Sequence, residues 1–101
     1  MPNPTPALSE KQINQALSDL PGWSYDDAKI SKTYRFKHFK EALSFIVRLS
    51  FEAEAMNHHP EIFNVYSTVK ISLNTHDAGN KVTEKDIQLA KHIESLNWLP
   101  D

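Results

Sequence analysis

The segment FKEALSFIVRLSFEAEAMNHHP, residues 39–60, carries the strongest helical periodicity in the chain and decides the fold. One apolar row recurs at spacings of three and four, at Ala42, Phe45, Ile46, Leu49, Ala53 and Met56. A second row lies beside it, at Leu43, Val47, Phe51 and Ala55. We predict a helix over residues 39–57 whose wide apolar face is covered by a sheet, a partner subunit or both. Pro60 disfavours helical geometry at His59 and places the helix end near two histidines.

The residues before this helix predict a shorter helix and a β-hairpin. Ser9 and Gln12 have the spacing of a capping box at the start of the shorter helix. Alternating apolar and polar residues then predict two strands, at residues 23–25 and 29–36. Lys32 interrupts the apolar face of the second strand.

The residues after the long helix repeat the pattern of two strands and a helix. The strands are predicted at residues 62–66 and 68–76, and the last helix begins at Thr83 with Asp86 as its capping-box partner. The order is therefore α-β-β-α-β-β-α. It predicts an α+β fold in which a four-stranded antiparallel sheet is covered by three helices on one face.

The composition fits one small domain. Residues 1–7 include three prolines and are predicted to be a flexible tail, and residues 8–101 form the domain. With a net charge of -2 and no cysteine, the chain lacks a basic nucleic-acid footprint, disulfides and cysteine-ligated zinc. We see neither a signal peptide nor an apolar run of about 20 residues, so no membrane attachment and a cytoplasmic location are expected.

Three histidines are the best candidates for chemistry. His58 follows Glu54 by four residues, so the two side chains share a face if the helix extends that far. A carboxylate at that position would orient the imidazole, which could then act as acid or base. Because a helix end and a strand end can meet at one edge of a small domain, we expect His58, His59 and His76 to converge.

Other interpretations of these residues remain open. Histidines near a helix end often interact only with the last carbonyls. Three histidines could also bind zinc, although adjacent histidines rarely reach one metal from a regular helix. Asp86 could serve only as a cap or also face a site. Trp23 and Tyr66 could be core aromatics or could stack on a flat heterocycle.

The spacing of these residues resembles the pterin-4a-carbinolamine dehydratase family. The similarity is carried by ExxxHHP at residues 54–60, by HHPEIFNVY and ISLNTH around it, and by Asp86, and it spans about residues 20–93. It implies an enzyme that converts 4a-hydroxytetrahydrobiopterin to quinonoid dihydropterin and water, recycling the cofactor of aromatic amino acid hydroxylases. The resemblance implies no metal and no redox cofactor.

The resemblance also implies roles for single residues. His58 and His76 would be the acid–base pair, and His59 would bind and position the pterin. Glu54 would tune His58, and Trp23 would line the pocket.

The resemblance also implies that Asp86 supports the site from outside.

Three positions depart from the family pattern. Asn57 and Ile62 stand where many members have aspartate and tryptophan, and both border the implied site. His38 stands where an acidic helix cap is common. Asn57 is therefore expected to alter the electrostatics beside the pterin.

Two kinds of partner are expected besides the pterin. The doubly apolar long helix predicts a homodimer or homotetramer, since symmetric partners often close such faces. Some animal members of the family also act as dimerisation cofactors of a transcription factor, so a protein-interaction role is the alternative function.

Overall fold

Three helices and a four-stranded antiparallel sheet make up the structure of residues 5–96, described here from a computed structural model. The helices are α1 (Glu10–Leu17), α2 (Phe39–Met56) and α3 (Glu84–Ser95). The strands are β1 (Ser24–Asp26), β2 (Lys29–Arg35), β3 (Glu61–Val65) and β4 (Thr68–Leu73). The predicted element order and α+β class are confirmed.

The sheet has the spatial order β1-β2-β4-β3, so β2 and β4 are central. Because side chains alternate along a strand, every second residue of the central strands faces the helices. These inward residues are buried: Ile30, Tyr34, Val69, Ile71 and Leu73. Strand β3 pairs only with β4 and forms one edge of the sheet.

The two apolar rows of α2 have different surroundings. The first row packs into the core through Ala42, Phe45, Leu49 and Ala53, all of them buried. The second row remains exposed, together with Phe39 at the helix start, and reaches 55% exposure at Val47 and 71% at Phe51. Sheet and helices of one chain therefore cover only one of the two apolar rows that the sequence predicts for α2.

Lys32 points toward the helices and is neutralised there by Glu94 of α3. The Glu94 carboxylate oxygen Oε1 accepts hydrogen bonds from Lys32 Nζ at 2.5 Å, Tyr34 Oη at 2.7 Å and Trp23 Nε1 at 3.0 Å. Burial acts to raise the pKa of Glu94, but these hydrogen bonds outweigh it and hold the pKa below its ordinary value. The apparent flaw in the apolar face of β2 is thus the strand's polar link to α3.

Both predicted capping boxes are present. Ser9 and Gln12 exchange hydrogen bonds at the start of α1, and Thr83 and Asp86 do so at the start of α3. His38 caps α2 by accepting a hydrogen bond from the backbone N–H of Glu41. Each helix therefore begins within one residue of its predicted start.

Two boundaries in the structure differ from those expected from the sequence. Ala7, assigned to the flexible tail, forms an antiparallel bridge with Thr83, because the neighbouring Leu8 N–H donates to the Val82 carbonyl at 2.9 Å. Strand β4 ends at Leu73, and His76 opens a 3-10 turn that closes at Gly79 in the left-handed region. Residues 1–4 of the predicted tail and residues 97–101 of the predicted domain lie outside the described residues.

None of the helices of residues 5–96 combines the length and the apolar character that crossing a bilayer requires.

Candidate active site

The end of α2 determines where the two adjacent histidines point. Asn57 adopts the left-handed conformation, with φ 49° and ψ 43°, and the His58 N–H donates back to the Ala53 carbonyl at 3.0 Å. This arrangement is a common way to end a helix, and asparagine tolerates it better than most residues. The chain therefore leaves the helical path before His58.

His58 turns inward and pairs with Asp86. Its Nε2 lies 2.5 Å from Asp86 Oδ1, with the histidine 8% exposed and the aspartate fully buried. The other carboxylate oxygen, Oδ2, accepts the Thr83 N–H and the Thr75 hydroxyl, each at 2.8 Å. Asp86 is thus both the capping-box residue of α3 and the partner of His58, which joins the two interpretations that the sequence left open.

The predicted pairing of Glu54 with His58 was wrong. Glu54 Oε1 instead lies 2.6 Å from His59 Nε2. The physical reason is the left-handed Asn57, which ends the helix and removes the spacing of four residues on one face. The side chains of His59 and Glu54 are 58% and 76% exposed, so solvent screens this pair.

His76 reaches the same place from the end of the sheet. Its Nδ1 lies 3.3 Å from Asn80 Oδ1 across the 3-10 turn. The three histidines surround one open depression of about 270 Å³, whose wall is formed by Asn57, His58, His59, Asn74, Thr75, His76, Asp77 and Lys85. The depression thus presents one buried and two exposed imidazoles to the same volume.

Trp23 and Tyr66 lie elsewhere. Trp23 is a buried core residue bonded to Glu94 and is not part of the wall of this depression. Tyr66 is exposed at the turn between β3 and β4. Ile62 is also exposed and borders a groove on the open face of the sheet rather than the histidine depression. Within one chain, neither aromatic residue walls the depression.

Comparison with known proteins identifies the family of this chain. Residues 6–96 match the family model described as pterin 4 alpha carbinolamine dehydratase. The chain belongs to the pterin 4 alpha carbinolamine dehydratase family.

Similar proteins come from several bacteria. A protein of Opitutus terrae is 52% identical over 92 residues, which cover 91% of this chain and 95% of that protein. A protein of Christiangramia forsetii is 46% identical and covers 88% and 91%. Both are named "Putative pterin-4-alpha-carbinolamine dehydratase".

Two solved structures share the fold of the pterin dehydratase family. One, a transcriptional coactivator/pterin dehydratase from Brucella melitensis, has a TM-score of 0.84 and 38% identity and covers 89% of this chain and 97% of that chain. The other is a pterin dehydratase-like protein described as a RuBisCO assembly factor in the alpha-carboxysome. Its TM-score is 0.60 at 19% identity, with coverage of 77% and 89%, which shows the fold alone.

Residues 5–96 of this pterin dehydratase family member provide no ligand set for the zinc alternative. Among residues 5–96, no three histidine, aspartate or glutamate side chains are placed to hold one metal ion. His58 and His59 are directed to different carboxylates, Asp86 and Glu54. This geometry favours separate imidazoles over a shared metal.

Four wall residues of the depression in this pterin dehydratase family member were not predicted from the sequence: Asn74, Thr75, Asp77 and Lys85. A signal for Thr75 was present. Val69, Ile71 and Leu73 alternate toward the helices, and the same period of two assigns Thr75 to that buried side and His76 to the other. No comparable pattern marks Asn74, Asp77 or Lys85, which come from a loop, from the 3-10 turn and from the first turn of α3.

Proposed function

We propose that this protein dehydrates 4a-hydroxytetrahydropterins, with 4a-hydroxytetrahydrobiopterin as the expected substrate and quinonoid dihydropterin and water as products. The observation that carries the proposal is the depression in which His58, His59 and His76 meet, with His58 held by the buried Asp86. Family membership supplies the substrate class.

The reaction requires two proton movements. The bond between C4a and the hydroxyl oxygen breaks as an acid protonates that oxygen, which leaves as water. A base removes the proton of the ring nitrogen, and the freed electron pair forms the carbon–nitrogen double bond. No electrons are gained or lost overall, so positioned imidazoles suffice and a redox cofactor has no step to perform.

The geometry suggests how the histidines divide these tasks. His58 is fixed by a buried hydrogen bond, which suits a group that must hold one orientation during proton transfer. His76 approaches from the sheet end as the second member of the acid–base pair. His59, exposed beside Glu54, is assigned to binding and positioning the pterin.

A stopped-flow dehydration assay tests this proposal. The substrate would be 4a-hydroxytetrahydropterin generated enzymatically, and the rate would be compared with the spontaneous reaction. We expect the His58→Ala, His76→Ala double variant to lose at least about 100-fold of the rate, since acid–base groups typically contribute that much or more. The control is His92→Ala, because His92 pairs with Glu52 on the helices and lies outside the depression.

The control variant should keep the wild-type rate. Wild-type activity in the double variant, or no enhancement by the unchanged protein over the spontaneous reaction, would contradict the proposal.

We also propose that the protein acts as a homodimer or homotetramer in the cytoplasm. The exposed second row of α2 supports association, because exposed apolar surface of this kind commonly marks an interface. The second candidate function uses the same row to bind a transcription factor, and the similar Brucella melitensis protein, described as a transcriptional coactivator, favours considering it. A chain that remains monomeric when purified alone would favour that alternative, whereas self-association would occupy the row.

A further inference from the structure

Thr75 is a buried residue to which the proposed reaction assigns no role. It follows β4, is 4% exposed and forms a backbone bridge with Lys81. Its hydroxyl lies 2.8 Å from Asp86 Oδ2 and 2.6 Å from the Thr83 hydroxyl. Thr75 therefore contacts the carboxylate that holds His58 while it also borders the depression.

The direction of each hydrogen bond in this group follows from its chemistry. An ionised carboxylate can only accept, so the Thr75 hydroxyl donates to Asp86 Oδ2. With its one proton in use, the Thr75 hydroxyl oxygen must accept the hydrogen bond that the Thr83 hydroxyl donates. The Thr83 oxygen in turn accepts the Lys85 backbone N–H at 3.2 Å. The hydroxyl protons of Thr75 and Thr83 thus each have one assigned acceptor.

The same reasoning extends to His58. Asp86 Oδ2 already accepts two hydrogen bonds, from the Thr83 N–H and the Thr75 hydroxyl. Its Oδ1 faces His58 Nε2 and, being a carboxylate oxygen, accepts a hydrogen bond from the N–H at that nitrogen. A neutral imidazole carries one N–H, so His58 Nδ1 becomes the nitrogen with a free lone pair.

We propose that Thr75 is a positioning residue that fixes the Asp86 carboxylate and thereby holds His58 in the tautomer protonated at Nε2. Nδ1 of His58 is then the atom that exchanges the proton with the pterin. The catalytic part of this inference rests on the proposed function, but the tautomer is a property of the protein alone. The side chain of Thr75 acts through Asp86.

Removing the Thr75 hydroxyl has a defined effect. Asp86 loses one of its three hydrogen bonds, and the Thr83 hydroxyl loses its acceptor in a buried place. The Thr83 hydroxyl and the carboxylate must then find a new arrangement, which releases the constraint on Oδ1. His58 is expected to populate both tautomers in consequence.

Nitrogen-15 NMR of histidine-labelled protein tests the tautomer directly. Spectra would be recorded about two pH units above the ordinary histidine pKa of about 6.5, and His58 would be assigned by its absence in His58→Gln. We expect wild type to show protonated Nε2 and unprotonated Nδ1. Thr75→Val should move both nitrogen shifts toward the average of the two tautomers, and Thr75→Ser should restore the wild-type pattern.

Activity gives the second measurement. Thr75→Val should lower kcat about tenfold with KM within about twofold, because an orienting partner affects the transition state more than ground-state binding. Thr75→Ser should recover kcat. The matched control is Ser72→Ala, which removes a largely buried hydroxyl bonded to Ser31 Oγ at 2.9 Å on the open face of the sheet. It should leave both the His58 shifts and kcat unchanged.

Three results would overturn the inference. One is a wild-type spectrum with the proton on Nδ1. The second is an unchanged His58 spectrum in Thr75→Val, including the case in which only the melting temperature falls. The third is failure of serine to restore the spectrum. If wild type shows no dehydration, the proposed function fails, while the spectra still decide whether Thr75 sets the tautomer.

Discussion

His58 and His59 are neighbours in sequence and opposites in environment. His58 is buried against a fully buried carboxylate, and His59 lies in solvent beside an exposed one. Around His58, the low effective dielectric of the interior strengthens hydrogen bonds and charge interactions. Around His59, water screens them. The sequence shows the pair of histidines and both carboxylates, but not which partner each histidine takes.

Matched amide substitutions separate the two carboxylates. Asp86→Asn should lower the free energy of unfolding by about 1–3 kcal/mol, since it disturbs buried hydrogen bonds of the cap and of His58. Glu54→Gln should change it by less than about 1 kcal/mol, because its pair is exposed. Urea denaturation of both variants measures the difference. Equal effects would show that burial does not separate the two pairs.

At the scale of the elements, helix and strand starts were easier to predict than their ends. Capping boxes are local patterns, so Ser9 and Thr83 marked helix starts correctly. Pro60 predicted that α2 ends nearby, yet it could not identify Asn57 as the residue that turns left-handed. That single residue decided the partner of His58, so an error of one residue in the predicted helix end changed the predicted site.

Lys32 illustrates a different limit. A lysine in the alternating pattern of β2 argued against a continuous apolar face. Its partner, Glu94, is 62 residues away in α3. Local patterns cannot show such a partner. The structure resolves the conflict through Glu94, which also accepts hydrogen bonds from Tyr34 and Trp23.

The Glu94 cluster predicts a pH dependence of stability. The pKa of Glu94 is held below its ordinary value of 4.5, so the ionised form is favoured by folding. This stabilisation is fully present above pH 4.5 and is lost as the pH falls through the lower, folded-state pKa. Glu94→Gln should therefore be less stable than wild type at neutral pH, and the difference should shrink toward about pH 3.

Urea midpoints of wild type and Glu94→Gln across that range provide the measurement, since carboxylates common to both proteins cancel in the difference. Glu61→Gln is the control, because Glu61 forms an exposed pair with Lys29 and should have little effect. A difference between wild type and Glu94→Gln that stays constant or grows on acidification would contradict the sign.

At the scale of the whole molecule, the sequence predicted more apolar surface than one chain buries. The element order and the inward positions of β4 followed from periodicity, which depends only on local geometry. Which of the two rows of α2 faces the sheet depends on tertiary packing, and periodicity alone does not distinguish them. The exposed row explains why the sequence allowed both a sheet and a partner as its cover.

A charge in the exposed row tests the proposed assembly. Phe51→Glu should weaken self-association at least about thirtyfold, as expected from a central contact worth about 2 kcal/mol. Lys40→Glu is the control, because Lys40 is an exposed polar residue of the same helix. Light scattering coupled to size exclusion measures the mass of both variants. An unchanged mass in Phe51→Glu would remove this row from the interface.

The double use of Asp86 bears on how such chains can diverge over generations. The carboxylate caps α3 through the Thr83 N–H, so selection for folding alone would retain it in a lineage that had abandoned chemistry. His58 has no part in that cap. Aspartate at position 86 is therefore a poor marker of catalysis when genomes are surveyed for enzymes and for descendants with other functions. Histidine at position 58 is the more informative residue.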